Sequence, residues 1–144
     1  MCGIFGVNIR KKVDTSKFSV IKKDISYLTK LSEARGSDTF GILISLKKEN
    51  FIYKINTEPN KALRRQEYKI FLENIFNKSL KEGSEDFSFI GQTRLVTNGA
   101  KFLHSNNQPI ITKELLGVHN GIIASLENKK NEKTVNLEGY NIKS

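Results

Sequence analysis

The spacing of apolar residues along this chain switches from a period of two to a period near three and a half and back. That order of switches restricts the fold to a sheet covered by helices. Residues 3–9, Gly-Ile-Phe-Gly-Val-Asn-Ile, read as a first strand, buried on both faces because Ile4, Phe5, Val7 and Ile9 crowd both. From 15 to 31 the apolar positions Phe18, Ile21, Ile25, Leu28 and Leu31 recur at three and four, an amphipathic helix with Thr15 or Ser16 as N-cap. Residues 40–46 and 51–55 form a hairpin across the polar turn Lys47-Lys48-Glu49-Asn50. A second helix follows Pro59, with Leu63, Ile70, Phe71, Ile75, Phe76 and Leu80 on one face, and ends at Gly83-Ser84. Residues 87–95 and 115–119 read as two more strands separated by a long loop, 96–112, and 122–126 as a further strand or a short helix. Beyond the polar run 127–133, Val135, Leu137, Tyr140 and Ile142 resume an apolar pattern. No internal repeat is visible, and the expectation is a sheet packed under helices, α/β or α+β, in a single domain over residues 1–144.

Composition narrows the function classes. Hydrophobic residues make up 38% and charged residues 27% of the 144, with ten glycines, which suits a globular chain with a core rather than a disordered one. The net charge of +9 would favour nucleic acid if it were clustered. The basic runs Arg10-Lys11-Lys12, Lys22-Lys23, Lys47-Lys48, Arg64-Arg65 and Lys129-Lys130 are instead scattered, so neither a nucleic-acid nor a membrane partner is expected. His104 and His119 have no cysteine or carboxylate at ligand spacing, so no metal and no cofactor is expected. One cysteine excludes an internal disulfide, and there is neither a secretory signal nor a membrane-spanning run, which points to the cytoplasm.

That single cysteine is residue 2, at the head of the first strand. With Met1 removed, thiol and free α-amine share one residue. Free α-amines titrate near about 8, so part of the population at neutral pH can take a thiol proton. The residue alone is equally compatible with a small buried hydrophobe.

Three further segments join glycine to polar side chains. In Arg35-Gly36-Ser37-Asp38-Thr39-Phe40-Gly41, one reading is a helix stop with Gly36 left-handed and Asp38 making a local turn. In Gly91-Gln92-Thr93-Arg94-Leu95-Val96-Thr97-Asn98-Gly99, Arg94 ends a strand before a glycine-bearing loop, where a guanidinium can grip a carboxylate in two parallel hydrogen bonds or simply face solvent. In Gly117-Val118-His119-Asn120-Gly121, Asn-Gly is a hairpin-turn signal, and its side-chain amide and backbone N–H are also a pair of donors suited to an oxyanion. The two readings are compatible.

In this order, with Asn106-Asn107-Gln108-Pro109 between the last two, these segments resemble the glutaminase domain of class II, N-terminal-nucleophile (Ntn) glutamine amidotransferases. The correspondence runs through Cys-Gly-Ile-Phe-Gly, Arg-Gly-x-Asp-x-x-Gly-Ile, Gly-x-Thr-Arg-x-x-Thr-x-Gly, Asn-x-Gln-Pro and Val-His-Asn-Gly. The resemblance implies an α+β fold of the Ntn type, a four-layer αββα sandwich, and hydrolysis of the glutamine side-chain amide through a Cys2 thioester, with the ammonia passing to an acceptor. It implies catalytic roles for Cys2, Asn120 and Gly121, glutamine binding by Arg94, Thr97 and Asn98, and support of the pocket by Arg35 and Asp38. It also implies glutamine as substrate and an ammonia-accepting synthase domain or subunit as partner.

The chain departs from the family in places. Leu95 and Asn98 stand where relatives of the glucosamine-6-phosphate synthase type carry tryptophan and histidine, so a weaker aromatic lid is expected. Asn106 to Pro109 is closer to amidophosphoribosyltransferase and asparagine synthetase, which leaves the acceptor open. The family's amine-binding aspartate is expected beyond Ser144, making the sandwich incomplete at its C-terminus and the chain a fragment, a split subunit or a degenerate copy with little activity alone. Two rivals stand beside this reading: a noncatalytic module of the same fold that binds a partner, and another Ntn amidohydrolase without ammonia transfer.

Overall fold

A computed structural model describes residues 2–10, 15–46, 49–82, 87–97 and 102–121. The chain is mixed α/β, with an antiparallel sheet and three helices among those residues. In chain order these are β1 (Gly3–Ile9), α1 (Thr15–Glu33), β2 (Thr39–Leu46), β3 (Glu49–Ile55), α2 (Pro59–Ala62), α3 (Gln66–Glu82) and β4 (Phe87–Arg94). A short 3₁₀ turn (His104–Asn106) and the two-residue strands β5 (Ile110–Ile111) and β6 (Leu116–Gly117) follow.

The four long strands lie in the order β1-β4-β2-β3, each antiparallel to its neighbour. Because side chains alternate across a sheet, the register sorts residues onto two faces. One carries Phe5, Phe87, Phe89, Phe40, Ile42, Ile44 and Leu46, all buried. Phe18, Ile21 and Ile25 of α1, Ala62 of α2, and Tyr68, Leu72, Ile75 and Phe76 of α3 complete that core. Phe76 stacks on Phe87 at 5.5 Å between ring centroids and meets Phe18 at 4.8 Å, which joins α3, β4 and α1 in one aromatic cluster.

The opposite face carries the row Ile4, Gln92, Gly41, Lys54 and the row Gly6, Ile90, Leu43, Ile52. Here Ile4 is 43% and Ile90 37% exposed. Burial of the first strand on both faces is therefore corrected: among the described residues β1 is the edge strand of the sheet, and its Phe5 faces the core while Ile4 faces outward. Apolar side chains on both sides of a strand do not show which side is covered.

The second helix also differs from its expectation. The chain after Pro59 forms two helices, interrupted at 63–65, and Ile70 and Leu80 are exposed. The buried stripe of α3 is Tyr68, Leu72, Ile75, Phe76 and Ser79, rotated toward a tyrosine and a serine that an apolar-only template passes over. Likewise Leu31 of α1 is exposed and Thr29 buried, its hydroxyl donating to the Ile25 carbonyl at 2.7 Å. Glu49 and Asn50, read as part of the turn, belong to β3, where Glu49 pairs with Leu46; residues 47–48 lie outside the described residues. The strand expected at 115–119 is only β6, paired with β5 from within the segment read as a loop. Gly83-Ser84 and everything from 122 onward lie outside the described residues.

Candidate functional site

Cys2 and Asn120, 118 positions apart, meet directly. The backbone N–H of Cys2 donates to Oδ1 of Asn120 at 3.0 Å, leaving the Asn120 amide nitrogen to face elsewhere as a donor. Cys2 itself is half-buried. Its placement follows from Gly3, where a Cβ would lie 2.6 Å from Oγ1 of Thr93 and 2.7 Å from the Ser32 side chain. Glycine lets the start of β1 press against the last turn of α1, and buried Thr93 fastens β4 there by donating to the Ser32 carbonyl at 2.6 Å.

The loop bearing Asn120 is held by two glutamines. Gln92, in the middle of β4 and 1% exposed, donates through Nε2 to the His119 carbonyl at 2.7 Å. Gln108 donates to the same carbonyl at 2.9 Å and accepts the His119 N–H through Oε1. The backbone of Gln108 rests on β2, where a Cβ on Gly41 would lie 1.8 Å from its carbonyl oxygen. Only glycine permits that approach.

Arg94 is half-buried at the end of β4, and its Nη1 donates to Oδ1 of Asn107 at 2.8 Å. Asp38 clasps the chain as it leaves β4: its N–H donates to the Arg94 carbonyl at 2.9 Å, and its Oδ2 accepts the Val96 N–H at 2.7 Å. Gly36 is buried against the same stretch, where a Cβ would fall 2.6 Å from the Thr93 carbonyl oxygen. It has no left-handed φ, so close approach and not helix-stop geometry explains this glycine. Gly121 has no left-handed φ either, and the type I′ turn expected of Asn-Gly requires one.

Of the residues singled out in the sequence, Cys2, Asn120 and Gly121 lie together, while Arg94 and Asp38 share the end of β4. Thr97 is exposed just beyond it, and Asn98 lies outside the described residues. Arg35 is exposed on the turn after α1, its N–H donating to the Ser32 carbonyl at 2.9 Å. Asp38 also lines a polar cleft of about 470 Å³ with Glu33, Ser37, Asn56, Thr57 and Glu58. The residues without an assigned role in the sequence were Gln92, Asn107 and Gln108. Asn107 and Gln108 lay within the Asn106 to Pro109 motif, and Gln92 stood out only as a glutamine inside a strand.

Among the described residues no group of three His, Cys, Asp or Glu could hold a metal ion, and no helix is long and apolar enough to cross a membrane. The chain matches no protein-family model and no curated protein, so geometry alone bears on the site.

Proposed function

We propose that the chain is the glutaminase domain of an N-terminal-nucleophile glutamine amidotransferase of class II. The observation that carries this reading is the hydrogen bond from the Cys2 nitrogen to Oδ1 of Asn120. Once Met1 is removed, that nitrogen is an amine. Donating one N–H to Asn120 keeps its lone pair free for the thiol proton, and turns the Asn120 amide nitrogen outward as a donor.

The thiolate of Cys2 then attacks the side-chain carbonyl of glutamine. The oxygen gains charge, held by the Asn120 amide and the Gly121 N–H. The α-amine returns its proton to the departing nitrogen, releasing ammonia and leaving a thioester, which water cleaves to glutamate. Arg94 binds the substrate α-carboxylate, with Thr97 and Asn98 beside it, and Asp38 and Arg35 support the pocket by shaping the chain around Arg94. On the outer sheet face Ile4 and Ile90 stand exposed beside buried Leu43, apolar surface that suits a second sheet, as an αββα sandwich requires. The ammonia acceptor is a synthase domain or subunit, and a cytoplasmic setting suits a free thiol.

The test is labelling with 6-diazo-5-oxonorleucine, a glutamine analogue that joins the thiol sulfur to its diazo carbon as nitrogen gas leaves. The modification is expected on Cys2 and is competed by glutamine. Labelling that is absent, or insensitive to glutamine, while iodoacetamide still alkylates Cys2 would overturn the reading.

A further inference from the structure

We propose that Gln108, seated on Gly41 and working with Gln92, is the positioning residue that sets the oxyanion donors against the Cys2 thiol. The inference rests on the glutaminase reading above and assigns the site a residue that touches neither the substrate nor the reacting atoms.

The His119 carbonyl receives two side-chain donors, Gln92 at 2.7 Å and Gln108 at 2.9 Å, and the His119 N–H is taken by Gln108 as well. Both lone-pair directions of one carbonyl are thereby filled, and the planar peptide linking His119 to Asn120 loses its freedom to rotate. The next two groups along the chain are the Asn120 side chain and the Gly121 N–H. Their direction is inherited from that plane.

The two anchors reach the nucleophile by separate routes. Gln92 is paired in register with Ile4, two residues from Cys2, so its grip refers the loop to the strand that carries the thiol. Gln108 refers it to β2 through its seat on Gly41. Strand pairing gives His119 no such anchor, since β6 ends at Gly117. Side-chain amides replace the missing ladder and fix the loop at two points, as an oxyanion site needs, because its donors must be in place before charge develops.

The test compares two reagents on the chain freed of Met1, as verified by intact mass. Iodoacetamide alkylates Cys2 by displacing iodide and needs no seat among the oxyanion donors. In the reaction with 6-diazo-5-oxonorleucine the thiol proton passes to the diazo carbon, sulfur bonds to that carbon and nitrogen gas leaves, and the ketone oxygen seated between those donors sets the carbon against the sulfur. Gln108→Met keeps the length of the side chain and removes both hydrogen bonds. It is expected to lower the maximal rate of diazo-reagent labelling by about ten- to a hundredfold, the effect of a displacement of about 1 Å at a reacting centre. The half-saturating reagent concentration and the iodoacetamide rate should stay within about twofold. Gln108→Glu, which still accepts the His119 N–H, should fall between Gln108→Met and wild type.

An unchanged maximal rate in either variant overturns the positioning role, as does a parallel fall in iodoacetamide reactivity or an effect confined to half-saturation. A wild-type chain that iodoacetamide alkylates and the diazo reagent does not label overturns the glutaminase reading and this role with it. That result is told apart by appearing before any substitution is made.

Discussion

The guanidinium of Arg94 is held by the side chain of Asn107, Nη1 to Oδ1 at 2.8 Å, and Asn107 is itself 1% exposed. A buried amide thus fixes a half-buried cation at the end of β4. Asn107→Ala leaves the charge and releases its aim. It should raise the half-saturating concentration of 6-diazo-5-oxonorleucine by about tenfold and leave the maximal labelling rate of Cys2 unchanged. Arg94→Ala should raise it further, since charge-assisted bonds contribute about 1.5–3 kcal/mol. An effect of Asn107→Ala on the maximal rate alone would contradict this.

Asp38 should act through an oxygen rather than through its charge. Its Oδ2 accepts the Val96 N–H at 2.7 Å just after β4. Asp38→Asn retains a carbonyl for that N–H and should leave the urea midpoint nearly unchanged, whereas Asp38→Ala orphans the donor and should cost about 1–2 kcal/mol. Equal losses in the two variants would assign the role to the charge.

The elements legible in the sequence were those whose pattern is local. The runs in β1, β2 and β4 announce strands by their apolar density, and Phe18, Ile21 and Ile25 mark α1 by spacing. What was illegible depends on partners distant in the chain. Whether Ile4 faces core or solvent is decided by which face of the sheet the helices cover, and the buried stripe of α3 includes Tyr68 and Ser79, which hydropathy discounts. At the candidate site, family resemblance alone assigned Cys2 and Asn120 to one site, and the bond from the Cys2 N–H to Asn120 was not expected. The grips on His119 by Gln92 and Gln108 were not foreseen, because a side-chain amide bonded to a remote backbone leaves no period to read.

Gly41 and Gly117 make a matched pair for testing the seat of Gln108. A Cβ at Gly41 would lie 1.8 Å from the Gln108 carbonyl oxygen, while one at Gly117 meets nothing within 4 Å. Gly41→Ala should therefore destabilise the chain by about 1–3 kcal/mol, an overpacking cost against a backbone atom that can yield only by moving its loop. Gly117→Ala should stay within about 0.5 kcal/mol of wild type. Urea unfolding of the two variants checks this, and similar midpoints would mean that the loop over Gly41 yields freely.

Tyr68 supplies a pH signature independent of the candidate site. Its ring packs on Phe40 and Tyr53 in the core, and among the described residues its hydroxyl has no hydrogen-bond partner. Burial, and then the neighbouring Tyr53, push its pKa above the ordinary tyrosine value. An acid whose folded pKa is raised stabilises the fold below its unfolded value, and that stability is lost as pH rises from there toward the folded value. The loss should therefore begin near about pH 10, where an unfolded tyrosine ionises. Burial holds the Lys54 ammonium below its usual pKa, which acts with the opposite sign, so wild type and Tyr68→Phe must be compared at each pH. At neutral pH Tyr68→Phe removes an unsatisfied hydroxyl and should stabilise by about 1 kcal/mol. Above about pH 10 its advantage should widen, because the substituted ring has no proton for the unfolded chain to lose. Urea midpoints that run parallel for the two chains through the alkaline range would show that the Tyr68 hydroxyl reaches water in the folded state.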